Sequence, residues 1–146
     1  MPIPEFNDLG YLPPGVYEAN WQEFMQRFAI NRHRQRLATG LAAALRKLSI
    51  AGCRRVIIGG SFVTDKDQPN DFDGWYSDFG LDPDKLDSLF VESVNDQQIV
   101  FGGRLFDLPS YEGFFQTDRE GRPKGVIALD PQEFTTQWGT SYDSKR

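Results

Sequence analysis

Cysteine is nearly absent from this sequence, since Cys53 is the only one among 146 residues. A single thiol excludes an internal disulfide framework and a cysteine-based metal site within one chain. A chain of this kind suits a reducing compartment, so we expect a cytoplasmic protein. We interpret Cys53 itself as a small buried side chain.

Long apolar runs are also missing. No stretch approaches the roughly 18 consecutive apolar residues of a membrane-spanning helix, and residues 1–5 lack the charged and apolar regions of a secretion signal. Acidic residues outnumber basic ones by 21 to 16, which gives a formal net charge of −5. Because an acidic surface repels phosphate backbones, we expect no non-specific binding to duplex DNA. From the missing apolar runs we expect no association with a membrane.

The sequence does contain enough apolar and aromatic residues for a folded domain, at 39% and 14%. At this length we expect one domain, over residues 19–138. The preceding residues, 1–18, are rich in proline, which removes backbone donors and fixes φ, so they are predicted to form an extended arm. Residues 139–146 are predicted to be a flexible tail.

Two helices are predicted near the N-terminus. Asn20 can cap a short helix over 21–28, with Glu23 at the capping-box position. Asn31 can cap a longer helix over about 32–50, in which apolar residues recur every three or four positions.

The rest of the chain is predicted to be mainly strands. Short β-branched or aromatic runs predict strands at 56–58, 72–76, 98–101 and 104–106, and a hairpin with arms 113–117 and 125–129. A further helix is predicted from Asp82 to about Ser93, and a last helical turn at 131–137. This order indicates an α+β (α/β) fold, a small mixed sheet with helices mainly on one face.

Two acids, Asp71 and Asp73, have the spacing that a metal site needs. On an extended strand, side chains two positions apart point to the same face, so both carboxylates can meet one metal ion. Carboxylate oxygens are the ligands that Mg²⁺ prefers, and it usually takes few of them from a protein. Gly60 and Ser61 end the preceding strand, where a glycine allows close backbone approach and successive N–H groups can receive an anion.

These elements resemble a known signature. Gly-Ser-Phe-Val-Thr at 60–64, followed by Pro-Asn-Asp-Phe-Asp at 69–73, is similar to the motif of the nucleotidyltransferase superfamily, which has a polymerase-β-like fold. Further stretches resemble an uncharacterised group of short bacterial proteins assigned to that superfamily: residues 12–15, 33–37, 52–55 and 114–125.

The resemblance implies roles for individual residues. Asp71 and Asp73 would hold Mg²⁺, and Gly60 and Ser61 would receive the phosphates of a nucleoside triphosphate. The charge that develops on the phosphates would be neutralised by Lys66 or Arg104.

Active members of the superfamily typically carry a third carboxylate on a later strand. Here that strand contains Arg104 and Phe106, and the nearby acids are Asp107 and Glu112. We assign Asp107 as the third metal ligand. If neither acid faces the pair, metal binding weakens.

Other interpretations of the acidic stretch were weighed. Residues 70–74 can equally form a polar turn without chemistry, because Asn, Asp and Gly favour turns. A calcium loop beginning at Asp65 is disfavoured, because Tyr76 stands where a glutamate is required. A metal-dependent glycosyltransferase is also disfavoured, since its catalytic domain usually needs a larger sheet.

Basic residues cluster at the start of the second helix. His33 is the only histidine, and we interpret it as solvated rather than as a catalytic base. Arg32, Arg34 and Arg36 are interpreted as a solvated helix face, with phosphate or partner contact as the alternative. Arg122 and Lys124 fall in the polar turn of the predicted hairpin, where charge is usual, and phosphate contact is the lesser alternative for them.

The sequence thus predicts a minimal nucleotidyltransferase-like protein that binds a nucleoside triphosphate with Mg²⁺ and transfers a nucleotidyl group to a hydroxyl of a protein, an RNA or a small molecule. The alternative is a catalytically degenerate binding module with a protein partner. The resemblance suggests a bacterial two-protein system for it, such as a toxin–antitoxin or phage-defence pair. A structural protein that dimerises is the third possibility.

Overall fold

The computed structural model describes residues 3–107 and 117–134. In these two ranges the chain forms five strands and three helices. In chain order they are β1 (Val16–Glu18), α1 (Trp21–Phe28), α2 (Arg32–Ile50), β2 (Val56–Gly59), β3 (Phe72–Tyr76), α3 (Gln97–Phe101), β4 (Gly103–Asp107) and β5 (Val126–Leu129).

The two helices predicted near the N-terminus are confirmed, and their caps explain where they begin. The side chain of Asn20 accepts a hydrogen bond from the backbone N–H of Glu23 at 2.8 Å, and the Glu23 carboxylate accepts one from the N–H of Asn20 at 2.8 Å. Asn31 likewise accepts from the N–H of Arg34 at 2.8 Å. Each cap satisfies an N–H that the first helical turn leaves without a partner.

The strands form one mixed sheet in the order β1-β5-β2-β3-β4. β1 runs parallel to β5 and β3 runs parallel to β4, whereas β2 is antiparallel to both β5 and β3. Three helices and a five-stranded mixed sheet confirm the predicted α+β class.

Side chains alternate between two apolar layers on the sheet. Phe72, Tyr76 and Leu105 belong to the main core, together with the buried residues of α1 and α2. Trp75 and its neighbours on β2 and β5 form a second, smaller cluster on the opposite face. The helices α1 and α2 therefore cover one face of the sheet. Trp75 lies on the other face, together with the residues of β3 an even number of positions away from it.

Two element predictions were wrong. Residues 82–93 form separate 3-10 turns at Pro83–Lys85 and Ser88–Phe90 instead of one helix. The side chains of Asp82 and Asp87 each accept from a backbone N–H two residues on, and such local bonds compete with a continuous helix. Residues 98–101 lie in α3 rather than in a strand, because periodicity cannot distinguish so short an apolar run.

The described part of the proline-rich arm packs against the domain. Leu12 is fully buried, and its carbonyl accepts from the N–H of Gly125 at 2.9 Å. The last residues of the arm form the edge strand β1. The predicted tail 139–146 and nearly all of the first hairpin arm, 113–117, lie outside the described residues.

None of the helices in the described ranges is long and apolar enough to span a membrane.

Candidate functional site

Asp73 is the second residue of β3, and its position follows from the register of the sheet. It pairs with Gly59 of β2 on one side and with Arg104 of β4 on the other. Asp73 and Trp75 are two positions apart on the strand, so both side chains lie on the sheet face opposite α1 and α2. The carboxylate is half-buried there.

Gly60 lies directly beside this carboxylate. Its φ of +71° lies in the left-handed region, which favours glycine, and a Cβ added to it would lie 3.3 Å from Oδ2 of Asp73. Ser61 follows in the 3-10 turn Gly60–Val63. The structure thus brings the predicted Gly-Ser turn and the second acid of the pair together.

Asp71 stands just before β3, so it is not part of the regular strand. Its charge still acts on Asp73. Burial first and the neighbouring Asp71 carboxylate second raise the pKa of Asp73, while the positive charges of Arg104 and Lys124 lower it. The pair is therefore a place where negative charge is costly and a cation is favoured.

The third predicted metal ligand does not join this pair. Asp107 pairs with Tyr76, three positions beyond Asp73, and it shares the parity of Leu105, which lies on the helix-covered face. Burial and the nearby Asp78 raise its pKa. Glu112 lies outside the described residues, and within them no three His, Cys, Asp or Glu side chains group as a metal site would.

The residue of β4 that pairs with Asp73 is Arg104, not an acid. Its Nη1 donates to Oδ1 of Asn95 at 3.2 Å, and the guanidinium lies 5.4 Å from the centroid of the Phe106 ring. Two carboxylates still fit Mg²⁺, which is commonly bound by one or two carboxylates plus the phosphates of its substrate.

A cavity of about 530 Å³ opens in front of Asp73. Its lining combines acidic and basic side chains from the arm, from β3 and from the segment before β5. These are Tyr11, Asp73, Thr117, Asp118, Arg119, Glu120, Arg122 and Lys124. Lys66 is exposed and does not line this cavity. The cations that face Asp73 thus come mainly from the turn before β5, and not from the loop after Ser61.

Asp118 organises that turn. Its carboxylate accepts from the Tyr11 hydroxyl at 2.9 Å, from Nε of Arg122 at 2.7 Å, and from the backbone N–H groups of Glu120 and Arg122, both at 2.9 Å. Although desolvation opposes it, these hydrogen bonds hold the pKa of Asp118 well below its usual range. The N-terminal arm and the turn are therefore joined at the cavity wall.

Lys124 is the residue that sequence reasoning undervalued. Its ammonium lies 5.5 Å from the centroid of the Tyr11 ring, and the side chain is half-buried. Burial lowers its pKa, against the opposing charges of Asp118 and Asp73. The only sequence signal was its inclusion in the stretch 114–125 that carried the resemblance.

Arg34 is buried, which corrects its interpretation as a solvated residue. It is 1% exposed, and its guanidinium donates to four backbone carbonyls. Nη1 donates to Phe28 at 3.1 Å and Phe62 at 2.7 Å, Nη2 to Thr64 at 2.8 Å and Lys66 at 2.6 Å, and Nε to Lys66 at 3.1 Å. The guanidinium also lies 5.1 Å from the centroid of the Phe62 ring. Arg34 therefore fixes the loop that follows Gly60.

His33 is held in the same way. Its Nε2 lies 2.5 Å from the carbonyl oxygen of Pro69, and the side chain is half-buried instead of fully solvated. Asn31 donates from Nδ2 to the carbonyl of Asp67 at 3.0 Å. The first turn of α2 thus anchors the whole segment that leads from Ser61 to Asp71.

The raised pKa of Asp73 predicts how a neutral replacement changes stability. Because burial and Asp71 disfavour the ionised form in the folded protein, stability falls as pH rises from the usual carboxyl pKa through the raised one. Asp73→Asn should therefore raise the Tm near pH 7.5, and this gain should vanish near pH 3, where the carboxyl is protonated in both states. Scanning calorimetry without ligand measures both. Asp96→Asn, at an exposed position, is the control, and an Asp73→Asn gain of equal size at both pH values would contradict the prediction.

Comparison with known proteins gives one match. A family model described as "Family of unknown function (DUF6932)" matches residues 4–130. That span contains all the described strands and helices named above. No curated protein and no solved structure matches significantly.

Proposed function

The chain belongs to DUF6932, a family of unknown function, and from the site together with the resemblance of its motifs we propose that it binds a nucleoside triphosphate with Mg²⁺ in the cavity in front of Asp73. One observation carries the proposal. A half-buried carboxylate, with a second acid close to it, lies against the backbone of a left-handed glycine and lines a cavity whose other charged side chains are both basic and acidic.

Asp71 and Asp73 would hold the metal. A divalent cation there offsets both the burial of Asp73 and its repulsion by Asp71, the two causes that raise its pKa. Bound Mg²⁺ would neutralise negative charge on the phosphate oxygens and would orient the triphosphate.

Gly60 and Ser61 would receive phosphate oxygens from the opposite side. The absence of a Cβ at Gly60 lets the Asp73 carboxylate approach its backbone closely, and Arg34 fixes the loop that continues from it. A rigid loop loses little entropy when it binds, which favours affinity. Lys66, predicted to neutralise charge, is exposed, and the cations that act on Asp73 are Arg104 and Lys124, so we assign Lys66 no role in binding.

The presence of Arg104 bears on whether the site only binds a nucleotide or also transfers a nucleotidyl group. Phosphoryl and nucleotidyl transfer depend on metal ions held in position against developing charge, and the residue of β4 that pairs with Asp73 is Arg104, not an acid. This observation favours the second candidate, a binding module with weak or no transferase activity. Its protein partner, in a toxin–antitoxin or phage-defence pair, remains a prediction from the resemblance.

Isothermal titration calorimetry of ATP with Mg²⁺ tests the proposal. The double variant Asp71→Asn/Asp73→Asn should bind at least about tenfold more weakly than the unaltered chain, because both metal ligands lose their charge. Asp107→Asn is the matched control: it removes an acid on the other face and should bind as the unaltered chain does. Equal affinity of the double variant and the unaltered chain would refute the proposal.

The same proteins, incubated with Mg²⁺ and ATP radiolabelled at the α-phosphate, distinguish the two candidates, because nucleotidyl transfer keeps the α-phosphate and releases pyrophosphate. Incorporation of label that disappears in the double variant would show an enzyme. Binding without incorporation would support the binding module.

A further inference from the structure

Among the cations near Asp73, Lys124 is the best placed to meet a ligand. It is half-buried at the wall of the cavity, and the described residues offer its ammonium neither an ion pair nor a hydrogen bond. We propose that Lys124 binds the phosphate chain of the ligand. The inference rests on the proposed function for the identity of the ligand, but its anion site can be tested separately.

The other cations are paired, exposed or outside the cavity. Arg122 donates to the carboxylates of Asp118 and Glu120, at 2.7 and 3.1 Å. Arg119 is exposed, and Arg104 donates to Asn95 and does not line the cavity. An ammonium that is partly withdrawn from water and keeps unused donors gains more from an arriving anion than a cation that is already paired.

Tyr11 gives Lys124 its position. The ring lies beside the ammonium, and the Tyr11 hydroxyl is fixed by its hydrogen bond to Asp118. The backbone on either side is held as well, since Tyr11 forms a β-bridge with Thr64 and the N–H of Asp65 donates to the carbonyl of Gly10 at 2.9 Å. The arm therefore ties the ammonium to the loop that follows Ser61, on the side where the proposed function places the phosphates.

Titrations with two different ligands test this inference separately from the proposed function. Sodium tripolyphosphate in EDTA tests the anion site without metal or base, and ATP with Mg²⁺ tests the complete site. Both are titrated by calorimetry into the unaltered chain and into Lys124→Gln, Lys124→Arg and Lys66→Gln, after thermal unfolding has shown that each variant is folded.

We expect Lys124→Gln to weaken the binding of both ligands about tenfold or more, and Lys124→Arg to restore most of it, because the positive charge returns. The dependence of tripolyphosphate affinity on salt concentration should also become shallower in Lys124→Gln, since one screened attraction is lost. Lys66→Gln, which removes an exposed cation outside the cavity, should behave as the unaltered chain does.

The outcomes are distinct. If Lys124→Gln binds both ligands as the unaltered chain does, this inference is overturned and the nucleotide proposal stands. If the unaltered chain binds tripolyphosphate through Lys124 but does not bind ATP with Mg²⁺, the anion site stands and the nucleotide proposal fails. If the unaltered chain binds neither ligand, both are overturned.

Discussion

Arg34→Met is expected to lower the free energy of unfolding by about 3–5 kcal/mol. Methionine can fill much of the volume of the buried arginine but donates no hydrogen bond, so the four carbonyls that Arg34 now satisfies lose a charged donor. A buried acceptor left without a partner costs about 1–3 kcal/mol. Two of these carbonyls belong to Thr64 and Lys66, so the loop after Gly60 should also lose its fixed shape.

Urea unfolding followed by circular dichroism measures the effect. Arg36→Met is the matched control, because Arg36 lies two positions further along the same helix and is exposed. Its replacement should change the stability by less than about 0.5 kcal/mol. If both variants unfold at the same urea concentration, the carbonyl contacts of Arg34 do not stabilise the fold.

The spacing of Arg34 from the apolar residues of α2 predicts that it is buried, but the arginines around it favoured an exposed position. Arg34 precedes Leu37 by three positions and Leu41 by seven, so it belongs to the apolar stripe of α2. Two exposed arginines beside it favoured the solvated interpretation. Its partners could not be predicted, because they are backbone carbonyls from distant segments, which no residue type identifies.

The elements that position the site were predictable for local reasons. Asn20 and Asn31 are followed by helices because their side chains satisfy the first N–H groups, which is a short-range effect. The apolar runs of β2 and β3 predicted both strands, and Gly60 between them could be identified as the point of close approach. Once both strands were predicted, the sequence also predicted that the Gly-Ser turn and Asp73 lie close together.

The third acid was misplaced because its position depends on the pairing of distant strands. Only the register of β3 with β4 shows that Arg104, and not Asp107, stands beside Asp73. Neighbouring residues of a strand point to opposite faces, so an error of one residue in the expected register moves a side chain to the other face. Asp107 follows Phe106 and therefore lies on the face opposite to Arg104 and Asp73. Lys124 was interpreted as an ordinary charge of the turn for the same reason, since only the tertiary fold brings it to the cavity of Asp73.

Gly40→Ala is the second substitution with a large expected effect, and its sign is opposite to the general rule. In the interior of an exposed helix, alanine is favoured over glycine by about 1 kcal/mol. Here, however, a Cβ on Gly40 would lie 1.7 Å from the carbonyl oxygen of Phe101 and 2.7 Å from its carbonyl carbon. These are backbone atoms, so they cannot rotate away as a side chain would, and α2 and α3 would have to separate.

We therefore expect Gly40→Ala to destabilise the protein by about 1–3 kcal/mol, as overpacking does in a well-packed core. Thermal unfolding measures it, with Thr39→Ala, at the exposed neighbouring position of the same helix, as the control that should stay close to the unaltered chain. A higher Tm for Gly40→Ala would mean that the two helices do not approach as closely as the structure places them. Because α3 leads directly into β4, the same separation should displace Arg104 from its place beside Asp73 and change the affinity of the site.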